Sequence, residues 1–284
     1  MKQVINPTFT KTLNCRGQLV VLDKPVVMGI VNLTPDSFYD QSRKQGVEEA
    51  IQQALTHLDQ GAMWLDFGAV STRPGAEFVS EQEEMDRLLP TLESLRKERP
   101  EALISIDTFR ASVAKAAIDL GADMINDVTA GSDPDLFKVV ATGQIPLVLM
   151  HSRGNPQNMQ TLTQYDHLVE DILSFFSERC NQARDCGVMD IIVDPGFGFA
   201  KTVEQNFELM RELHRFNVLN RAVLVGISRK SMIYKTLNTD APGALNGTTA
   251  MHMIALQKGA HILRVHDVQP ALECIALHQR LQVS

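Results

Sequence analysis

Short apolar runs rich in β-branched residues recur along the chain, and each of them stops at a polar residue. The clearest run covers residues 222–227 and is followed at once by Ser-Arg-Lys-Ser at positions 228–231. Other such runs stop at or next to Asn32, Asp66, Asp107, Asn126, His151, Asp194 and His266. A parallel α/β barrel carries its active site at the carboxyl ends of its strands. The pattern therefore predicts an α/β fold, an eight-stranded parallel (β/α)8 TIM barrel.

The predicted strands are separated by segments with helical periodicity, as a parallel sheet requires. We predict strands at residues 26–31, 63–67, 102–106, 124–126, 145–150, 190–193, 222–227 and 261–265. The predicted helices cover residues 47–60, 81–97, 110–120, 134–141, 165–186, 203–216, 247–258 and 269–281. Residues 13–15 and 18–22 flank Arg16-Gly17 and predict a β-hairpin across the bottom of the barrel. The chain is expected to be one domain, 1–284, in which residues 1–25 form this hairpin extension.

Composition and charge exclude several classes of protein. A net charge of −7 argues against nucleic acid or an anionic membrane surface as the main partner. No apolar run approaches the roughly 20 residues that span a bilayer, and the N-terminus lacks the apolar core of a signal peptide. The four cysteines have no CxxC spacing and indicate reduced thiols rather than a metal site. We therefore expect a cytoplasmic protein.

Three polar residues end strands in the middle of the predicted barrel: Asp107, Asn126 and Asp194. Each could be a helix N-cap, which is the commonest role of such residues. A carboxylate can also accept two hydrogen bonds from the amide and amino edge of an aminopyrimidinone ring, and an Asn amide suits mixed donor and acceptor positions. Because the three come from separate strands, we favour ligand binding over capping.

Cations collect after the last two strands. Lys230, Arg264 and His266 lie where barrels of this class often bind phosphate, which predicts an anion site. The alternative is a strand-end salt-bridge set with Asp267. Gly226 has no side chain and would let a flat ring lie against the backbone.

Two long loops follow the first two strands, and neither is decisive alone. Asn32 begins the first loop. It is either part of an ordinary turn, a neutral oxygen ligand for Mg²⁺ or a hydrogen-bond donor to an anion. The second loop contains Ser71-Thr72-Arg73-Pro74-Gly75. Its guanidinium and hydroxyls match phosphate geometry, but for this segment alone a solvated surface arginine is the favoured interpretation.

Taken together, eight motifs in order resemble those of the dihydropteroate synthase family, from about residue 26 to residue 271. The motifs are Met28–Phe38 (MGIVNLTPDSF), Ser71–Gly75 (STRPG), Ser105–Thr108 (SIDT), Ile125–Asp127 (IND), Met150-His151 with Gly154–Pro156 (GNP), Asp194–Phe199 (DPGFGF), Ser228–Ser231 (SRKS) and Arg264–Val268 (RVHDV). The second loop departs from the family pattern, because Ala69 and Val70 stand where the family commonly has Gly and Glu.

The resemblance implies a usually dimeric, Mg²⁺-dependent enzyme of folate biosynthesis. It would join p-aminobenzoate to 6-hydroxymethyl-7,8-dihydropterin diphosphate and release diphosphate. By resemblance, the catalytic group is Asp107, Asp194, Lys230, Arg264 and His266. The pterin would be held by Asp107, Asn126, Asp194 and Lys230, with Met150, Phe199 and Gly226 against its ring. The diphosphate would lie among Asn32, Thr72, Arg73, Arg264 and His266, with Mg²⁺ on Asn32. The p-aminobenzoate pocket would comprise Phe38, Thr72, Pro74, Lys230 and Ser231, and loop closure would involve Asp36 and Asp40.

Two other functions remain open from the residues alone. A methyltetrahydrofolate-binding methyltransferase would use Asp107, Asn126 and Asp194 but has no need for cations around a diphosphate. A catalytically silent pterin-binding protein would have no leaving group for Arg73 or Arg264 to stabilise. Release of diphosphate on mixing the two substrates separates these possibilities.

Overall fold

Eight parallel strands close into a barrel, which confirms the predicted fold. The computed structural model describes residues 10–33, 40–71, 79–155 and 157–282, with the backbone alone for residues 40–45. The barrel strands are β3 (Val26–Asn32), β4 (Trp64–Gly68), β5 (Leu103–Asp107), β6 (Met124–Asp127), β7 (Leu147–Met150), β8 (Ile191–Asp194), β9 (Ala222–Val225) and β10 (Ile262–Val265). Each strand pairs with the next in sequence, and β10 pairs with β3 to close the ring.

Helices connect the strands around the outside. They are α1 (Asp40–Gln60), α2 (Glu81–Glu98), α3 (Ala111–Asp119), α4 (Leu136–Gly143), α5 (Leu168–Asp185), α6 (Val203–Arg211), α7 (Ser231–Thr236), α8 (Leu245–Gln257) and α9 (Val268–Leu281). Glycines end three of these connections in the left-handed conformation that favours them: Gly61, Gly121 and Gly259, with φ of 103°, 100° and 95°. Over the ranges described, no helix is long and apolar enough to cross a bilayer.

The structure differs from the predicted elements where apolar periodicity is weak. Helix α1 begins at Asp40 rather than at residue 47, because its first turns are polar helix formers and Gly46 interrupts the pattern. The predicted helix 203–216 ends at Arg211 and continues as a 3₁₀ segment, Leu213–Leu219. Helix α7 has only six residues, too few for a periodic signal, and was not predicted.

The N-terminal hairpin closes the bottom of the barrel, as predicted. Its strands β1 (Lys11–Cys15) and β2 (Gln18–Leu22) pair in antiparallel fashion. The hairpin side chains Leu13, Cys15, Val20 and Leu22 form one buried cluster with inward-facing side chains of seven barrel strands. Those inward-facing residues include Met28, Trp64, Met124, Val148, Ile192, Leu224 and Ile262. The lower interior of the barrel is therefore a packed apolar core.

Strand alternation explains why the opposite end of the barrel is polar. Successive side chains of a strand point to opposite faces, so the residue two positions after an inward apolar side chain also points inward. On β4, β6, β8 and β10 the residues two positions after Trp64, Met124, Ile192 and Ile262 are Asp66, Asn126, Asp194 and Arg264. The outward residues between them pack against the helices in the main hydrophobic cluster. The chain thus builds an apolar layer below and a polar layer above.

Candidate active site

A cleft opens at the carboxyl ends of the barrel strands. Its lining consists of Asp107, Asn126, Val128, Met150, Asp194, Phe197, Phe199, Gly226, Lys230 and Arg264. All seven residues predicted to bind the pterin belong to this set. The structure therefore brings them together around one space, with carboxylates and cations beside apolar and aromatic side chains. Such a lining suits a flat ring with a polar edge.

Arg264 lies inside the cleft between two carboxylates. Its Nε donates to Asp66 Oδ2 at 2.6 Å, and its Nη2 donates to Asp107 Oδ2 at 2.8 Å. Burial raises the pKa of Asp107 to about 7, and the Arg264 charge opposes that rise. The two carboxylates raise the pKa of Arg264 despite its burial, so the guanidinium stays charged. The salt bridge predicted as the alternative role of Arg264, with Asp267, is replaced by these contacts.

Asp66 belongs to the site, although no role was predicted for it. It ends an apolar run like the others, but neither its spacing nor any motif distinguished it. Its side chain is fully buried and also accepts from Ser105 Oγ at 2.6 Å and Asn126 Nδ2 at 3.0 Å. The available signal was its position on β4, two residues after the inward-facing Trp64. A buried carboxylate needs partners, so an inward Asp beside several inward polar residues indicates a network.

The helix-cap alternative for the strand-end carboxylates is wrong. The residue at the N-cap of α3 is Arg110, and that of α6 is Thr202, which forms a capping box with Gln205. Asp194 instead accepts from the backbone N–H of Gly196 at 2.8 Å, which fixes its carboxylate at the mouth of the cleft. Burial raises the pKa of the Asp194 carboxyl, while the Gly196 N–H and the charge of Lys230 oppose the rise.

A buried lysine braces the segment that follows β8. Lys201 Nζ lies 3.0 Å from each of the backbone oxygens of Gly196 and Phe199 and from His151 Nδ1. Burial lowers the pKa of Lys201 to about 7, whereas nearby Asp194 favours the ammonium form. The braced segment carries Phe199, whose ring lies 4.4 Å from Lys230 Nζ. Lys201 thereby holds one wall of the cleft in place.

Replacement of Lys201 by Met is expected to destabilise the protein by about 1–3 kcal/mol, because the carbonyl oxygens of Gly196 and Phe199 lose their amine donor. The same change should weaken pterin binding, since the Phe199 wall is no longer braced. Urea unfolding and calorimetric titration measure the two effects. Lys115→Met is the matched control, because Lys115 is exposed and pairs with Asp119 on the surface of α3. Equal stability of the two variants would contradict the bracing role.

His266 and Ser228 form a pair at the edge of the site. Ser228 Oγ accepts the His266 backbone N–H at 3.2 Å and lies 3.0 Å from His266 Nδ1. Burial and the charge of Arg264 lower the pKa of His266 to about 4, so the ring is neutral at neutral pH. Asp267 pairs with Arg229 through two hydrogen bonds of 2.8 and 2.7 Å.

The other predicted site residues are only partly described. Asn32 is exposed at the carboxyl end of β3, and Ser231 is the first residue of α7, directly after Lys230 at its N-cap. Asp40, predicted to lie on a loop, is the first residue of helix α1. The remaining predictions lie outside the described residues: Asp36, Phe38, Thr72, Arg73 and Pro74. Within the ranges described, no three His, Cys, Asp or Glu side chains cluster so that they could hold a metal ion.

Two arginines donate hydrogen bonds to the backbone at the described ends of the second loop. Arg87 on α2 donates to the backbone oxygen of Ala69 at 3.0 Å, and Arg110 donates to that of Val79 at 2.6 Å. Arg110 is itself held by the buried carboxylate of Glu84. Position 70, where the family commonly has a Glu, therefore lies next to a backbone anchored from α2.

Comparison with known proteins agrees with this geometry. Residues 28–266 match the family model described as pterin binding enzyme. The dihydropteroate synthase of Synechocystis is 47% identical over 247 residues, which cover 86% of this chain and 85% of that protein. The structure of Xanthomonas albilineans dihydropteroate synthase with 4-aminobenzoic acid has a TM-score of 0.89 and 38% identity, and the match covers 97% of this chain and 99% of that one.

A further solved structure, Yersinia pestis dihydropteroate synthase in a sulfonamide drug complex, has a TM-score of 0.90 and 38% identity over 96% of this chain and all of that one. These matches favour a synthase over the methyltransferase and the silent binding protein. A family model covering most of the chain and relatives at this level of identity leave one assignment: the chain belongs to the dihydropteroate synthase family of pterin-binding enzymes.

Proposed function

We propose that the cleft binds the pterin ring of 6-hydroxymethyl-7,8-dihydropterin diphosphate and positions its methylene carbon for attack by p-aminobenzoate. The family assignment makes the chain an enzyme that transfers a pterin group to form dihydropteroate in folate biosynthesis. The observation that carries the residue assignment is the lining of one cleft by Asp107, Asn126, Asp194 and Lys230. Carboxylate oxygens would accept from the ring N–H and amino groups, and Met150 and Phe199 would contact its faces.

The reaction breaks the bond between the methylene carbon and the diphosphate oxygen and forms a bond to the arylamine nitrogen, which then loses a proton to solvent. The electron-rich dihydropterin can delocalise a developing positive charge on the methylene. Asp107 and Asp194 beside the ring would stabilise that charge, and the cations Arg264 and Lys230 would stabilise the departing anion. Neutral His266 would add the N–H of its ring as a donor. Alignment of the amine is mainly a matter of positioning, with no covalent enzyme intermediate.

The donor set at the site fits a magnesium ion held mainly by its substrate. Mg²⁺ is commonly bound through few protein oxygens, with water and phosphate oxygens completing its shell. The exposed amide of Asn32, at the same end of the barrel as Asp107 and Asp194, offers one neutral oxygen of this kind. When bound there, the ion would neutralise charge on the leaving diphosphate. Arg73 and Thr72 would complete the diphosphate site, as the resemblance implies.

Replacing Asn32 by Ala is expected to weaken binding of the pterin diphosphate in the presence of Mg²⁺ by roughly tenfold, the scale for loss of one ligand-supporting contact. Affinity for bare hydroxymethylpterin should stay unchanged, because the alcohol has no phosphate for a metal to bridge. Isothermal titration calorimetry with both ligands, with Mg²⁺ and with EDTA, measures the difference. Equal losses for the two ligands would show that Asn32 shapes the pterin pocket instead.

Three further features are part of the proposal. Phe38, Thr72 and Pro74, with Lys230 and Ser231, would form the p-aminobenzoate pocket, and Asp36 and Asp40 would take part in closure over the leaving group.

A homodimer is supported by exposed apolar side chains on the last two helices: Ile254, Leu277 and Leu281. Light scattering tests that state. A cytoplasmic location is supported by four free cysteines, as a reducing compartment maintains.

The decisive experiment mixes purified enzyme, Mg²⁺, the pterin diphosphate and p-aminobenzoate. Dihydropteroate and diphosphate should appear in equal amounts. Binding of the pterin without release of diphosphate would contradict the synthase and favour one of the two alternatives, the methyltransferase or the silent pterin-binding protein.

A further inference from the structure

A fully buried carboxylate lies against the cleft without lining it. The side chain of Asp66 is 0% exposed, and its Oδ1 accepts from Ser105 Oγ at 2.6 Å. Its Oδ2 accepts from two residues that do line the cleft, Asn126 through Nδ2 at 3.0 Å and Arg264 through Nε at 2.6 Å. Asp66 therefore touches no substrate but contacts two groups that would.

The contact with Asn126 fixes the polarity of that amide. A carboxylate only accepts hydrogen bonds, so the amide nitrogen of Asn126 must face Asp66, because an oxygen in that place would oppose another oxygen. The amide oxygen is then directed away from Asp66, and Asn126 lines the cleft. A bound ring that offers N–H or amino hydrogens to this oxygen would satisfy it. A ring with a carbonyl in the same place would not.

The contact between Asp66 and Arg264 determines how readily the Asp107 carboxylate can accept hydrogen bonds from a ligand. The guanidinium is shared between Asp66 at 2.6 Å and Asp107 at 2.8 Å. With Asp66 neutral, Asp107 alone would balance the charge of Arg264. Ring donors would then compete with the guanidinium for the same carboxylate. Because Asp66 balances part of the Arg264 charge, the Asp107 carboxylate can accept hydrogen bonds from a ligand.

We infer that Asp66 is a positioning residue that sets the specificity of the cleft for an amino-substituted ring over its oxo analogue. It does so by orienting the Asn126 amide and by sharing the charge of Arg264. The inference rests on the proposed function, because it takes the pterin ring as the occupant of the cleft.

The first test is Asp66→Asn, which keeps the shape and removes the charge. The new amide nitrogen can turn to Ser105, whose hydroxyl can accept, so the oxygen still faces Asn126 and Arg264. The KM for the pterin diphosphate should rise about tenfold, on the scale of one charge-assisted bond, while the KM for p-aminobenzoate is unchanged. If Asp66 had a purely structural role, the variant would have a lower melting temperature and a smaller active fraction. The KM for the pterin diphosphate would then not rise selectively over the KM for p-aminobenzoate.

The second test measures ring discrimination. Calorimetry compares hydroxymethylpterin, which carries a 2-amino group, with the corresponding 2-oxo ring in the wild type, in Asp66→Asn and in Asp66→Ala. Asp66→Asn should keep the preference for the amino ring. Asp66→Ala should reduce the preference about tenfold, because the released Asn126 amide can turn and present its nitrogen. If Asp66→Ala does not fold, the inference is tested by Asp66→Asn alone, through its selective rise in KM for the pterin diphosphate.

Asp123→Asn is the matched control. Asp123 is a buried aspartate at the other end of the barrel, where it accepts from Arg96 Nη2 at 2.7 Å and from the backbone N–H of Ile104 at 2.9 Å. This variant should lose stability but keep the KM and the ring preference. Unchanged pterin KM in folded Asp66→Asn, or undiminished ring preference in folded Asp66→Ala, overturns the inference. Wild-type enzyme that makes no dihydropteroate would instead overturn the proposed function.

Discussion

Replacing Arg264 by Met should abolish most of the activity and also destabilise the fold. The change leaves Asp66 and Asp107 without their shared cation, and removing one partner of a buried ion pair typically costs about 3–5 kcal/mol. It also removes a cation proposed to stabilise the leaving diphosphate, where loss of one such group costs roughly 10²–10³-fold in kcat. Urea unfolding and steady-state kinetics, measured where the variant is folded, give the two quantities separately.

Arg96→Met provides the matched control for this result. Arg96 also pairs with a buried aspartate, Asp123, and donates to three backbone oxygens, but it lies at the bottom of the barrel. The Arg96→Met variant should lose stability to a similar degree as Arg264→Met and should retain the wild-type kcat. A kcat in Arg264→Met that falls no further than in Arg96→Met would assign Arg264 a structural role only.

Asp107→Asn is expected to weaken binding of the pterin diphosphate by about 1–3 kcal/mol, or roughly 5- to 150-fold. The new amide can keep an oxygen toward Arg264, but its nitrogen then faces the N–H donors of the ring. Calorimetry measures the loss, and Asp194→Asn should behave in the same way for the same reason. Asp190→Asn is the control, because Asp190 accepts from the Asn14 backbone N–H at the bottom of the barrel. Unchanged affinity in both cleft variants would contradict the pterin assignment.

The affinity of the wild-type protein for the pterin should also depend on pH, because Asp107 titrates near neutrality. Burial raises the pKa of Asp107 to about 7, with the Arg264 charge opposing the rise. The carboxylate form accepts from the ring, and as the pH falls through 7 this form is protonated, so pterin affinity should fall toward acid pH. In Asp107→Asn that group no longer titrates, and the slope of affinity between about pH 6 and 8 should be shallower. Identical slopes in the two proteins would locate the titration elsewhere.

Much of the site could be predicted because barrel strands place chemistry at their carboxyl ends. The positions of Asp107, Asn126 and Asp194 follow from where the apolar runs stop, and the structure brings them to one cleft. The helix boundaries were less predictable. Helix α1 begins in a polar segment without periodicity, and α7 is shorter than any pattern could indicate.

The sequence by itself determined the barrel, the hairpin below it and the end at which polar side chains collect. These depend on periodicity, which is local: a two-residue alternation marks the inward face, and helical segments force parallel pairing. Only the tertiary structure decided which inward charges meet. Asp66 and Arg264 are 198 residues apart in the chain and contact each other because β10 closes against β3, which pairs with β4. Closure and register are global properties of the barrel, so the network around Asp66 and the support of Lys201 beneath the β8 segment could not be predicted from local pattern.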